Sequence, residues 1–198
     1  MPDFATRDPR KPAFWNERFE RGFTPWDRGG VPEALRHFVA HSTRPLATLI
    51  PGCGAGYELA FLADAGWDAT AIDFSPAAVA SAKDAVGPWA DRIVEADFFR
   101  YQPRQPLDLV YERAFLCALP RELWPQVADR WAEILPGGGL LAGFFFFDDA
   151  PKGPPFGISR SQLDELLAPD FECTEDMAVS DSVPVFAGKE RWMTWRRR

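Results

Sequence analysis

Short apolar runs alternate along this chain with segments of helical spacing. The clearest stretch is ATLIPGCGAGYELAFLADAGWDATAIDFS. In it an apolar run (47–50) ends in a turn holding Gly52, Gly54 and Gly56, and a helical segment (57–65) follows. Gly66 closes that helix as a C′ residue would. A second apolar run, 68–74, ends at the acid Asp73. Ser75 and Pro76 suit the N-cap and first position of the next helix, which stops at Gly87-Pro88. A third strand is predicted over 92–96, leading into Asp97-Phe98, and a fourth over 107–111, ending at Glu112. Residues 120–135 read as a helix, and 140–147 as a continuous apolar strand buried on both faces. A helix over 159–167 and strands over 172–179 and 190–196 close the chain. Upstream, 14–19 reads as a short helix, 22–30 as a loop, and Pro32 leads into PEALRHFVAH. Residues 1–12 are polar, hold three prolines, and read as a disordered or draped arm.

Strands alternating with helices predict a single α/β domain over 1–198, built on one doubly wound, mostly parallel sheet. In such sheets ligands bind beyond the carboxyl ends of the strands. Those ends deliver Pro51 to Gly56, Asp73-Phe74, Asp97-Phe98 and Glu112-Arg113 to one edge. The glycines permit close backbone approach to a ligand, and an acid ending the second strand can accept from a ribose diol. The unit therefore reads as nucleotide-binding. Its GCGAG spacing departs from the dinucleotide pattern GxGxxG, and GxxxxGK[ST] does not occur.

Composition narrows the class. The chain has 198 residues, 46% of them apolar, so it can bury a sizeable core. Its net charge of −7 disfavours nucleic acid as a partner. No apolar run approaches the roughly 20 residues of a membrane span. Three scattered cysteines suggest no disulfide framework, and cytoplasmic localisation is the expectation. Eight Trp and 17 Phe are many for this length, and some are expected to line a pocket for a flat ligand. His37 and His41 have metal-ligand spacing on a helix, but no third ligand accompanies them; a surface pair, and no metal, is expected.

The GxGxG turn, the acid at Asp73 and the Asp97-Phe98 pair resemble class I S-adenosylmethionine-dependent methyltransferases. One departure is Ile50-Pro51, where such enzymes usually carry an acid two residues before the first glycine. LIPGCGAGYE, FTPWDRG, ADFF, YERAFLCALPRELW and KGPPFGIS together resemble the thiopurine S-methyltransferase family, including its halide/thiol methyltransferase branch, over about residues 14–195. The resemblance implies a Rossmann-like fold with an N-terminal helical lid (13–30). It implies S-adenosyl-L-methionine as cofactor, S-adenosyl-L-homocysteine as product, and a small-molecule methyl acceptor. Trp15, Phe19 and Trp26 would cover the cofactor. Pro51, Gly52, Cys53, Gly54 and Gly56 would approach its methionyl part, with Cys53 a small buried filler rather than a nucleophile. Asp73, flanked by Phe74 and Ser75, would hold the ribose, and Asp97 and Phe98 the adenine. Glu112 would bind the methionyl amino group or face the acceptor. Arg113 would serve an anionic acceptor, and Glu112 and Arg113 are the catalytic candidates. Trp26, Phe115, Pro155 and Phe156 would wall the acceptor pocket.

A thiol, thiopurine, halide or thiocyanate is already a soft nucleophile, so alignment and exclusion of water are the protein's main contribution. If a base is needed, Glu112 or Asp27 is the candidate. The alternatives are an O- or N-methyltransferase of the same fold and a non-catalytic nucleotide-binding protein. An architecture that closes its own core is expected to be a monomer.

Overall fold

The computed structural model describes residues 3–198. Six helices, α1 (Pro12–Glu20), α2 (Glu33–His41), α3 (Tyr57–Asp64), α4 (Pro76–Val86), α5 (Trp124–Ile134) and α6 (Arg160–Leu167), surround one sheet. Its strands are β1 (Ala47–Pro51), β2 (Asp68–Asp73), β3 (Ile93–Glu95), β4 (Leu109–Arg113), β5 (Leu140–Phe146), β6 (Phe171–Ala178) and β7 (Glu190–Arg197). They lie in the order β3-β2-β1-β4-β5-β7-β6. The first five run parallel, and β7 is antiparallel to both β5 and β6. The strand order reverses between β1 and β4, which opens a crevice beyond their carboxyl ends.

The central strands feed two cores by strict alternation. Leu49, Val110, Leu141 and Phe145 face one side, with Trp131, Leu163 and Leu167 of α5 and α6. Ile50, Leu109, Tyr111, Ala142 and Phe144 face the other, with Leu35, Leu59 and Leu62 of α2 and α3. A strand covered on both faces must be apolar throughout, which is how the 140–147 run reads.

Local chemistry sets the element ends. After α3, the Gly66 N–H bonds Ala63 O and the Trp67 N–H bonds Leu62 O, with Gly66 at φ +82°. These are the two bonds of a Schellman stop. Ser75 caps α4 by accepting from the Ala78 N–H, and Ser159 and Gln162 form a reciprocal capping box on α6.

Two boundaries depart from the sequence expectation, and the arm takes one of its two expected forms. The helix expected from residue 120 begins at Trp124, after a 3-10 turn over Arg121–Leu123. Pro125 explains this, because its ring excludes an α turn around residue 121 while suiting the first turn of α5. The fourth strand begins at Leu109, because the Asp108 carboxylate accepts from the Ala47 N–H and Arg44 instead of continuing the run. Over its described part the arm is draped against the fold. Phe4 is buried 5.2 Å from Phe23, and the N–H groups of Ala5 and Thr6 donate to the Glu17 carboxylate. Residues 1–2 lie outside the described residues. Among those described, no helix is long and apolar enough to cross a membrane.

Candidate active site

Two glycines show why the GCGAG turn has its sequence. Gly52 and Gly56 lie at φ +63° and +76°, where a side chain is strained. A Cβ on Gly52 would meet the Phe115 ring at 2.8 Å, whereas one on Gly56 would meet Val86 at 2.8 Å. Gly52 therefore shapes the crevice, and Gly56 lets α3 pack against α4. Gly54 has open space where a Cβ would stand.

Beyond the turn lies a cavity of about 600 Å³, bounded by the strand ends, the turn after β4 and the N-terminal segment 13–30. It brings together Trp15, Phe19, Trp26, Gly52, Cys53, Gly54, Asp73, Phe74, Asp97, Phe98, Arg113, Phe115 and Pro155, with Asp27 also on the wall. Trp26 meets Trp15 edge-on at 5.6 Å between ring centroids and Phe19 at 6.1 Å. Phe98 is buried against Phe115, 4.9 Å away.

Burial pushes the Asp73 carboxyl up to about 6, opposed by the N–H groups of Ser75, Gly54 and Phe74. Asp97 is exposed and accepts from the Phe99 N–H at 2.9 Å. The Cys53 and Cys117 thiols are raised well above their ordinary value by burial, so neither is a ready thiolate.

Five expected site residues are not on the cavity wall. Pro51 is buried within β1, and Gly56 serves helix packing. The fully buried Ser75 hydroxyl caps α4 and donates to Asn16 Oδ1 at 2.7 Å. Phe156 packs against the core of α5 and α6, its N–H bonded to Cys117 O. Glu112 is the main correction. Its Oε1 accepts from the N–H groups of Phe115 and Leu116, at 2.9 and 2.8 Å. These donors open a 3-10 turn (Leu116–Ala118) and have no partner within it. Glu112 therefore holds the turn that carries Phe115 and lies off the cavity wall. The same turn sets Ala114 at φ +56°, a backbone conformation that is uncommon outside glycine.

Glu112 Oε2 is buried without a partner among the described residues, and burial raises this carboxyl to about 7. A folded-state pKa above the ordinary 4.5 means that the native state holds its proton longer than the unfolded chain. The associated stability is complete below about pH 4.5 and is lost as pH rises to about 7. Glu112→Gln should flatten this part of the stability–pH curve, measured by urea unfolding between those limits.

Arg113 donates to Glu190 Oε2 at 2.9 Å, and its guanidinium lies 4.3 Å from the Phe144 ring centroid. The pair links β4 to β7 across β5 and leaves Arg113 on the cavity wall. Sequence reading missed Glu58, Arg18 and Arg28 on the same wall. Burial raises the Glu58 carboxyl, and Arg113 opposes the shift. Its position in the first turn of α3, directly after the glycines, was the available signal. Arg28 pairs with Asp181, whose carboxylate also accepts from the Glu33 N–H, tying the 22–30 loop to the β6–β7 connection.

Asn16 fastens α1 to the start of α4. Its Oδ1 accepts from the Ser75 hydroxyl and, at 3.3 Å, from the Ala77 N–H. Asn16→Ala strands a buried hydroxyl and should cost about 1–3 kcal/mol of stability. Asn16→Asp keeps the acceptor and should cost less, as read from urea midpoints. His37 and His41 stack 4.0 Å apart on the exposed side of α2, away from the cavity.

The family model described as thiopurine S-methyltransferase matches residues 10–198. Thiocyanate methyltransferase 1 of Arabidopsis thaliana is 30% identical, covering 92% of this chain and 84% of the relative. A thiopurine S-methyltransferase of Shewanella sp. (strain W3-18-1) is 25% identical, covering 91% and 93%. Among solved structures, the 1,6-didemethyltoxoflavin-N1-methyltransferase of Burkholderia thailandensis, with bound 1,6-didemethyltoxoflavin and S-adenosylhomocysteine, superposes with a TM-score of 0.75. That match covers 99% of this chain and 93% of the other at 20% identity, a likeness of fold.

Proposed function

The chain belongs to the thiopurine S-methyltransferase family and is an S-adenosylmethionine-dependent methyltransferase. From that premise we propose that it methylates a small, soft nucleophile (a thiol, thiopurine, halide or thiocyanate) inside the lid-covered cavity. The observation carrying this reading is convergence: the turn glycines Gly52 and Gly54, the acids Asp73 and Asp97 and three aromatics of the 13–30 segment bound one chamber of about 600 Å³.

The residues fit the cofactor. The open space at Gly54 admits a ligand against backbone. Asp73, with acceptor capacity beyond its bond from the Ser75 N–H, suits the ribose diol. Asp97 suits the adenine amine, with Phe98 beside the ring. Glu58 adds a carboxylate to the wall for a cationic ligand, and Trp15, Phe19 and Trp26 offer aromatic faces to a sulfonium. When bound, the cofactor supplies a methyl on a sulfonium sulfur, whose transfer to a thiolate forms one C–S bond as another breaks, the electron pair staying on the departing thioether.

The chain's own groups align and dry the acceptor. Arg113, braced by Glu190, presents a fixed cation that favours an anionic acceptor or thiolate. Phe115, Pro155 and Trp26 exclude water. No histidine lines the cavity among the described residues. Glu112 is held by its turn, so Asp27 is the remaining candidate to take a proton; a halide or thiocyanate needs none. We place the enzyme in the cytoplasm as a monomer. The three free cysteines suit a reducing compartment.

An acceptor panel tests the reading. Benzenethiol, iodide and thiocyanate should each drive formation of S-adenosylhomocysteine, with kcat/KM well above that for phenols and amines. Turnover confined to oxygen or nitrogen acceptors would contradict it.

A further inference from the structure

We propose that Arg18 selects acceptors bearing a carboxylate, so that the preferred substrates are aromatic thiols carrying that group. This rests on the reading that sulfur acceptors enter the lid-covered cavity. Five arginines line the wall: Arg7, Arg10, Arg18, Arg28 and Arg113. Four have a carboxylate partner. Arg7 faces Asp3 at 3.2 Å, Arg10 faces Asp8 at 2.8 Å, Arg28 pairs with Asp181, and Arg113 lies 2.9 Å from Glu190.

Arg18 has no ion-pair partner among the described residues, although the protein is acidic overall. The guanidinium carbon sits 3.3 Å from the Phe14 ring centroid and 4.2 Å from that of Phe4. One nitrogen donates to Phe14 O at 2.7 Å. The rings and this bond hold the guanidinium in place while further N–H donors remain without a protein acceptor.

A guanidinium fixed by aromatic faces, with donors to spare, matches the planar fork of a carboxylate better than a spherical halide. Phe4, Phe14 and Phe23 beside it on the wall suit an aryl spacer between that carboxylate and the sulfur. In the reaction the thiol loses its proton, its sulfur takes the methyl, and the carboxylate stays unchanged on Arg18.

The test compares 4-mercaptobenzoate with 4-methylbenzenethiol, following S-adenosylhomocysteine formation by the wild type, Arg18→Met, Arg18→Lys and Arg10→Met. The wild type should prefer the mercaptobenzoate. Arg18→Met should lower the ratio of the two kcat/KM values on the order of tenfold or more, chiefly through KM. Arg18→Lys, which keeps the charge but not the fork, should restore only part of it. Arg10→Met removes another wall arginine, one already paired with Asp8, and leaves Phe4, Phe14 and Arg18 in place, so it should leave the ratio unmoved.

A wild type without preference, a ratio unchanged in Arg18→Met, or an equal loss in Arg10→Met would each overturn the role of Arg18. Methylation of both thiols with an unmoved ratio would sink this proposal alone. Methylation of neither thiol, alongside turnover of an oxygen or nitrogen acceptor, would sink the proposed function with it.

Discussion

Gly143→Ala is expected to abolish folding of the domain. A methyl at this position would stand 1.9 Å from the carbonyl oxygen of Glu112 and 2.8 Å from its nitrogen. Both contacts are to backbone, and Glu112 and Gly143 are paired in the β4–β5 ladder. No rotamer change relieves them, so two central strands would have to separate where the sheet is covered on both faces. A loss above about 4 kcal/mol is expected, a large share of the roughly 5–15 kcal/mol that holds a domain together. Soluble yield and the urea midpoint measure it. A midpoint within about 1 kcal/mol of the wild type would show that the strands yield at this point. The damage would also reach the site, because the same carbonyl belongs to the residue that fastens the Phe115 turn.

Asp73→Ala should weaken S-adenosylhomocysteine binding on the order of a hundredfold. It removes a charged acceptor for two ribose hydroxyls, each such bond being worth about 1.5–3 kcal/mol. The Asp73 carboxyl, raised to about 6 by burial, adds a pH signature. Its ionised form accepts the diol, so binding stabilises that form and lowers the pKa in the complex. Affinity should therefore fall as pH drops below about 6 and level off above it. Asp73→Asn should bind weakly at every pH and lose the slope. Calorimetric titration across this range decides the matter. A wild-type affinity that is flat through pH 6 would detach Asp73 from the ribose.

Much of this organisation is legible in the chain because it depends on near neighbours. The apolar runs, the Schellman glycine after α3, the Ser75 cap, Asp73 at the end of β2 and Asp97 just beyond β3 are local features, and the mostly parallel sheet follows from strand–helix alternation. What escaped reading depends on distant partners. Gly52 and Gly56 are the same residue in one turn, yet only the position of Phe115 and Val86 tells crevice from packing. Glu112 ends a strand beside a ligand crevice, as a site acid does, but the unpaired N–H groups of the following turn claim it. Ser75 is an N-cap in either reading, and its second bond reaches Asn16, 59 positions away. The arm reads as disordered or draped because Phe4 is its only aromatic side chain among polar neighbours. Phe23 and Arg18 supply the partners that seat it.

The most direct test of the account is a crystal structure of the protein with S-adenosylhomocysteine and a thiol acceptor. The account predicts the ribose hydroxyls on the Asp73 carboxylate, the adenine between Asp97 and Phe98, and the acceptor sulfur beneath Trp26 on the side of Arg113. A nucleoside bound outside the lid-covered cavity, or an acceptor held away from Arg113 and Phe115, would contradict it.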